Sequence, residues 1–262
     1  MILATPVSSK TIVATIEARM GSSRLPGKMA KEIVPGLTAL GAVIDRLKHS
    51  STIQDIVVAT TTDPQDDVLA QIASAHGISS FRGSEADVLG RVVGAGRSRQ
   101  ADILVLVTGD CTCVSPKVID GVVHFFLDHE YDLVSNCVFE DSYPIGIDAQ
   151  VVAMKALKRA YSLAQQPPYV GDKNNFEHTN FFIKHHPELF RVRQLPAPEK
   201  YRRPELALAL DTPADLEVMR AIYTRLYPQN PTFDIDEILD ILDTEPAILA
   251  PLTSLKVNRL GY

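Results

Sequence analysis

The chain has 262 residues, 45% hydrophobic and 22% charged, which is the balance of an ordinary soluble globular protein with one large domain or two small ones. A formal net charge of -6 argues against general binding to nucleic acid or to an anionic membrane, so a local cluster of cations is better matched to one small anionic ligand. With three cysteines, no run of roughly eighteen apolar residues and no basic start in residues 1–6, a reduced cytoplasmic setting without membrane span or leader is expected.

Thr11 to Ile16 is a short apolar, β-branched run that reads as a buried strand near 11–17. It delivers the chain to Ala18-Arg19-Met20-Gly21-Ser22-Ser23-Arg24-Leu25-Pro26-Gly27-Lys28 at the carboxyl edge of a sheet, where open α/β sheets bind ligands. Gly21, Ser22, Ser23 and Gly27 are small enough for backbone N–H groups to approach phosphate oxygens, and Arg19, Arg24 and Lys28 add three cations. The loop is not a P-loop, because Gly21 to Gly27-Lys28 is one residue too long and Met29 stands where a metal-binding hydroxyl belongs; a dinucleotide fingerprint is also absent. A solvated basic turn is the competing reading of the same residues.

Apolar runs then alternate with helical patterns: helix near 38–49, strand 55–60, helix 64–76, strand 78–81, helix 86–99, strand 102–107, helix 115–129 and strand 132–136. Such alternation means a mainly parallel sheet flanked by helices. Pro64 suits the first turn of its helix and Gly77 the position just past its end. Past Asn136, residues 142–148 read as a loop, Ala149 to Ala153 as a strand and Met154 to Gln165 as a helix. The turn-rich stretches 166–175 and 195–205 flank a helix from Phe176 to His186, with His185-His186 at its end. Leu206 to Leu210 reads as another strand, running into a helix start at Asp211-Thr212-Pro213. A helix from Asp236 to Leu242 and a tail, 258–262, close the chain, giving an α/β domain over 1–228 and a C-terminal helical extension over 229–262.

Nucleotidyl transfer needs carboxylates that hold a divalent metal, and Asp110 and Asp211 stand at the ends of two of these strands. Gly109 allows close backbone approach beside Asp110. Taken singly, Asp110 also reads as a turn residue and Asp211 as a helix cap. Cys111-x-Cys113 reads as two small apolar residues rather than a metal pair.

The order Ala-Arg-x-x-Ser-x-Arg-Leu-Pro-Gly-Lys after a first strand resembles the signature of the sugar-acid cytidylyltransferases, which make CMP-activated 3-deoxy-manno-octulosonate and CMP-sialic acids. Ile16 to Lys28 is more similar still to the branch described as spore-coat polysaccharide biosynthesis cytidylyltransferases. Asp55 to Thr61, Phe81 to Glu85, Asp87 to Arg91, Thr108 to Cys111 and Leu210 to Leu216 match that branch in order, so the resemblance covers residues 10–225.

The resemblance implies a Rossmann-like fold of the nucleotide-diphospho-sugar transferase type, with a nucleotide half over 10–136 and an acceptor half over 137–228. It implies CTP, a small acidic acceptor, Mg2+ on Asp110 and Asp211, and a homodimer. Arg19 and Lys28 are then expected on the β- and γ-phosphates with Arg24 assisting, and Ala18, Gly21, Ser22, Ser23 and Gly109 along the nucleotide. Arg82 and Asp87 are expected at base and ribose, although Asp87 and Arg91 also suit a surface helix pair. Asn136, Tyr143, Asp148, Glu177 and His178 are expected at the acceptor.

Two departures bear on the substrate. Cys111-Thr112-Cys113-Val114-Ser115-Pro116 lacks a proline and a carboxylate that the branch carries there, and 166–175 looks like an insertion. A nucleotidyltransferase using another triphosphate with a sugar phosphate is an alternative that Arg19 after Ala18 argues against. A non-catalytic nucleotide-binding protein is a second.

Overall fold

The computed structural model describes residues 10–137, 139–140 and 142–253; the expectations for residues 1–6 and 258–262 lie outside the described residues. The first strand, β1 (Ile12–Glu17), leads through the cation-bearing loop and a 3-10 turn, Lys28–Ala30, into a small hairpin of β2 (Glu32–Val34) and β3 (Leu37–Thr38). Then follow α1 (Ala39–Leu47), β4 (Asp55–Thr61), α2 (Asp67–Ala75), β5 (Ser79–Gly83), α3 (Val88–Ser98), β6 (Ile103–Thr108) and α4 (Pro116–Asp128). The second half runs β7 (Leu133–Ser135), β8 (Gln150–Ala153), α5 (Met154–Ala164), α6 (Asn174–Glu177), α7 (Phe181–His185) and β9 (Val192–Gln194). It ends in α8 (Pro213–Leu226), α9 (Ile235–Thr244) and α10 (Ala250–Thr253).

Seven strands form one sheet in the order β5-β4-β1-β6-β8-β7-β9. β5, β4, β1 and β6 are parallel, β8 alone runs against its neighbours, and β9 pairs parallel with β7. Crossovers through helices bury both faces of such a sheet, which is why β1, β4 and β6 are continuous apolar runs rather than alternating ones. Val13, Ala14, Ile16, Val57, Val58, Leu104 and Val105 have no exposed surface. The carboxyl ends of β1 and β6 lie side by side, Glu17 opposite Thr108, and the site grows from that edge.

Several expectations are corrected. Leu206 to Leu210 is no sheet strand: Leu206, Leu208 and Leu210 are buried as in a strand, yet Ala207 makes only an isolated bridge with Ile145. Its backbone is instead spent on loops, with Leu208 N–H donating to the Ile145 carbonyl (2.7 Å) and Leu210 N–H to the Asp110 carbonyl (2.9 Å). The helix expected over Phe176 to His186 is broken at His178, whose φ of -127° and ψ of 121° are extended. Side-chain ties hold the break open: Thr179 donates to Glu17 and Asn180 to Gln150. The hairpin β2–β3 and the strand β9 were not foreseen, being only two or three residues long. Pro64 opens a 3-10 turn, Pro64–Asp66, ahead of α2 rather than the helix itself. No helix among the described residues is long and apolar enough to cross a membrane.

Candidate active site

A cleft of about 770 Å³ opens over the carboxyl ends of β1 and β6. Its wall is the loop from Ala18 to Lys28, with Arg19, Gly21, Ser22, Ser23, Arg24 and Lys28 all facing it. The loop is folded on itself by Gly27 N–H to the Met20 carbonyl (3.1 Å), Lys28 N–H to the Leu25 carbonyl (3.1 Å) and Leu25 N–H to the Ser22 hydroxyl (3.2 Å). Gly27 turns the chain at φ 69°, a conformation that favours glycine. The buried Asp66 carboxylate accepts from Met20 N–H at 2.7 Å and from the Thr61 hydroxyl, tying the loop to the end of β4.

Lys28 reaches down from this wall to the two strand-end carboxylates. Its Nζ lies 2.8 Å from Asp110 Oδ2 and 2.9 Å from Asp211 Oδ1, while an Arg24 terminal nitrogen lies 3.1 Å from Asp211 Oδ2. Burial alone would lower the Lys28 ammonium, but the two carboxylates outweigh it and hold the group above the ordinary lysine range. Asp211 is not the cap of α8. Thr212 is, its hydroxyl accepting from Asp215 N–H, and the Asp215 carboxylate returns to the backbone of Thr212 and Asp211 in a capping box. The Asp211 side chain is thereby left for Lys28 and Arg24.

Asp110 is set by Gly109 and Leu210: Gly109 N–H donates to the Glu17 carbonyl (2.8 Å), and Leu210 N–H to the Asp110 carbonyl (2.9 Å). A methyl group on Gly109 would lie 2.7 Å from Met29 Sδ and 3.1 Å from the Glu17 carbonyl, so any side chain there would force Met29 and the end of β1 to shift. The two aspartates come together although 101 positions apart in number, because the extended 206–210 segment packs beneath the Asp110 turn.

Glu177 and His178 also line the cleft, at the break between α6 and α7. The other expected contacts lie elsewhere. Arg82, on β5, is folded onto the β4–α2 turn, donating to the Thr61 and Asp63 carbonyls (each 2.7 Å) and pairing with Asp67. Asp87 caps α3 by accepting from Gly90 N–H (2.7 Å) and also accepts from the Tyr161 hydroxyl (2.8 Å). Asn136, only 1% exposed, clamps a loop: its amide donates to the Ile147 carbonyl (2.8 Å) and accepts from Ala149 N–H (2.9 Å). Tyr143 and Asn136 border a separate depression of about 300 Å³ with Lys117 and Tyr201. Asp148 is not among the cleft-lining residues, and its charge reinforces the burial that raises the Cys111 thiol. Burial likewise pushes the Cys113 thiol up to about 11, in keeping with an apolar role. Ser115 is buried and caps α4 at Val118 N–H (3.1 Å), which is where the missing carboxylate of the 111–116 stretch would have stood.

Sequence reasoning missed Glu17, Glu85 and Arg91, all of which line the cleft. Glu17 is the one charged residue of β1, standing at the strand's end, and that was the available signal. Its carboxyl is raised to about 6 by burial, against the Thr179 hydroxyl (2.7 Å) and the Arg91 charge, with Asp110 adding to the rise. Arg91 is 4% exposed and donates to the Ser84 and Glu85 carbonyls, so it is not half of a surface pair with Asp87. Glu85 holds Arg19 at 2.7 Å.

A cleft with a small-residue loop, cations and two convergent carboxylates at a sheet edge is the arrangement that phosphoryl chemistry uses. A model of the cytidylyltransferase family matches residues 13–238. The chain belongs to the cytidylyltransferase family. Within it, the chain is 31% identical over 244 residues to the spore coat polysaccharide biosynthesis protein SpsF of Bacillus subtilis, covering 90% of this chain and 95% of that protein. It is 28% identical over 223 residues to a 3-deoxy-manno-octulosonate cytidylyltransferase of Koribacter versatilis, covering 80% and 82% respectively. Among solved structures, a cytidylyltransferase from Leptospira borgpetersenii superposes with a TM-score of 0.81 at 27% identity, covering 91% of this chain and 95% of that one. The family membership makes the chain a nucleotidyltransferase, and the expected fold of that type is the one found.

Proposed function

We propose that the cleft transfers CMP from CTP to a hydroxyl of a small sugar acid, releasing pyrophosphate, with Mg2+ held by Asp110 and Asp211. The observation that carries this reading is the convergence of both carboxylates on one cation, Lys28 Nζ, within 2.9 Å, at the foot of a loop rich in small residues. Two hard oxygen donors converging on one point suit Mg2+, which takes few protein carboxylates and completes its shell with phosphate oxygens and water. When bound, the metal supplies charge neutralisation at the α-phosphate and the leaving pyrophosphate.

The chain's own groups do the rest. Lys28 and Arg24 neutralise the polyphosphate, Arg as a planar fork and Lys as a point charge, and N–H groups of Gly21 to Ser23 add donors. Arg19, released from Glu85, reaches the outer phosphates. Glu177 and His178, from the second half of the chain, face the acceptor. The acceptor hydroxyl gives up its proton to solvent and its oxygen forms a bond to the α-phosphorus, as the bond from that phosphorus to the β-bridging oxygen breaks and its electron pair leaves with pyrophosphate. The names of the Koribacter and Bacillus relatives support a sugar acid destined for a surface polysaccharide.

The test is pyrophosphate release with Mg2+, crossing CTP, UTP, GTP and ATP against octulosonic, nonulosonic and phosphonic acids and sugar 1-phosphates. CTP-dependent release with an acid supports the reading; release with a sugar phosphate and another nucleotide overturns it. Binding of CTP without turnover, unaffected by Asp211→Asn, would make the chain a nucleotide-binding protein.

A further inference from the structure

Three of the cations that line the cleft are engaged by acids of this chain. Arg19 pairs with Glu85, Arg24 with Asp211, and Lys28 with both Asp110 and Asp211. The last arrangement engages one oxygen of each carboxylate. A Mg2+-like ion needs carboxylate oxygens at about 2.0–2.1 Å. Lys28 Nζ sits 2.8 and 2.9 Å from one oxygen of each carboxylate, so the ammonium engages both of the groups that would hold such an ion.

We propose that Lys28, assisted by Arg24, is the resident cation of this site in the ligand-free enzyme and is handed to the triphosphate when a divalent metal takes Asp110 and Asp211, so that metal and nucleotide load as a coupled pair. The inference rests on the metal role given to those two aspartates above. Without nucleotide, a metal must displace an ammonium from both of its carboxylate partners. Without metal, a triphosphate must draw Lys28 away from two carboxylates, taking from Asp110 its lysine partner and leaving Asp211 with the longer Arg24 pairing, which is costly in a half-buried cleft. With both present, each carboxylate and each cation keeps an opposite charge, and the exchange conserves pairing. A coupling of this kind is reciprocal: whatever metal does for nucleotide affinity, nucleotide does for metal affinity.

The backbone supports an exchange made by the side chain alone. Gly27 and Lys28 are held by N–H bonds to Met20 and Leu25 carbonyls, and Lys28 begins the 3-10 turn Lys28–Ala30. The four-carbon stem of lysine then carries its ammonium across the foot of the cleft without loop rearrangement. Its side chain is 12% exposed and those of Asp110 and Asp211 are 27% and 26% exposed, so water compensates the carboxylates only in part if the ammonium leaves without a replacement.

The experiment titrates metal-free enzyme with Mn2+ alone, counting free ion by electron paramagnetic resonance, and measures CTP binding by calorimetry with and without Mn2+. Lys28→Met removes the charge and keeps the stem, and thermal melting checks its fold. The variant is expected to bind Mn2+ alone about tenfold more tightly than wild type, to bind CTP more weakly, and to lose most of the metal–nucleotide coupling. Formation of the Mn2+–CTP complex in solution is common to both proteins and cancels in the comparison. Arg24→Gln should move the same quantities in the same directions by less, its pairing being longer and more exposed. An unchanged or weaker Mn2+ affinity in Lys28→Met overturns the exchange. If Asp110→Asn abolishes Mn2+ binding while Lys28→Met leaves it unchanged, the exchange alone fails. If Asp110→Asn has no effect on Mn2+ binding, the metal assignment fails with it.

Discussion

Asn136→Ala separates a loop clamp from a substrate contact. The side chain is 1% exposed and makes two hydrogen bonds to backbone, one to the Ile147 carbonyl and one from Ala149 N–H. Truncation leaves both backbone groups without those partners in a buried place, at about 1–3 kcal/mol each. Partial relaxation of the 142–148 loop and entry of water would reduce the sum, so the expected loss is about 2–5 kcal/mol. For a chain of this size that corresponds to a fall in Tm of roughly 5–15 °C. Differential scanning calorimetry measures it, and steady-state assays well below the lowered Tm should find KM for the acceptor unchanged within a factor of about two. The reasoning is refuted by an unchanged Tm together with a large rise in acceptor KM, which would restore Asn136 to the substrate.

Three further outcomes are expected. Gly109→Ala places a methyl 2.7 Å from Met29 Sδ and 3.1 Å from the Glu17 carbonyl, so it should cost about 1–3 kcal/mol and displace Asp110; denaturant unfolding and kcat check the two effects, and a fully active, equally stable variant would refute the close approach. Glu17 is raised from 4.5 to about 6, so its neutral form is favoured by the fold. Its contribution is therefore complete below about pH 4.5 and is lost as pH rises through about 6, about 2 kcal/mol in all. Melting of wild type and Glu17→Gln across that range should show wild type losing this stability relative to the variant, and parallel curves would refute it. Arg82→Ala removes bonds to the Thr61 and Asp63 carbonyls and should lower Tm while leaving CTP KM within a factor of about two; a large rise in KM with unchanged Tm would return Arg82 to the nucleotide.

Much of the nucleotide side of this protein is written locally. A run such as Ile12 to Ile16 has few ways to avoid burial, and a stretch carrying Gly21, Ser22, Ser23 and Gly27 with three cations is small and charged wherever it is placed. Asp110 and Asp211 were likewise legible, because each follows an apolar run and precedes a turn or helix start. What failed did so for physical reasons of one kind. Leu206 to Leu210 alternates like a strand, but alternation reports burial of one side and not whether a sheet edge is available to pair with. Phe176 to His186 carries helical periodicity, and Thr179 and Asn180 break it because their partners, Glu17 and Gln150, belong to distant strands.

Side-chain roles divide the same way. Arg82, Asp87 and Asn136 have the residue types of ligand contacts, and the sequence holds nothing to say that backbone carbonyls, helix N–H groups or a loop will claim them first. Glu17 and Arg91 read as a strand end and a helix surface until packing sets both into the wall of the cleft. The sequence by itself determined the strand-to-loop chemistry and the family, since those depend on residues within one short reach of each other. Only the tertiary structure decided that Asp110 and Asp211 converge on Lys28, because that meeting depends on a buried segment passing beneath the Asp110 turn, where Leu210 bonds to a residue 100 positions away, a contact that local chain energetics does not encode.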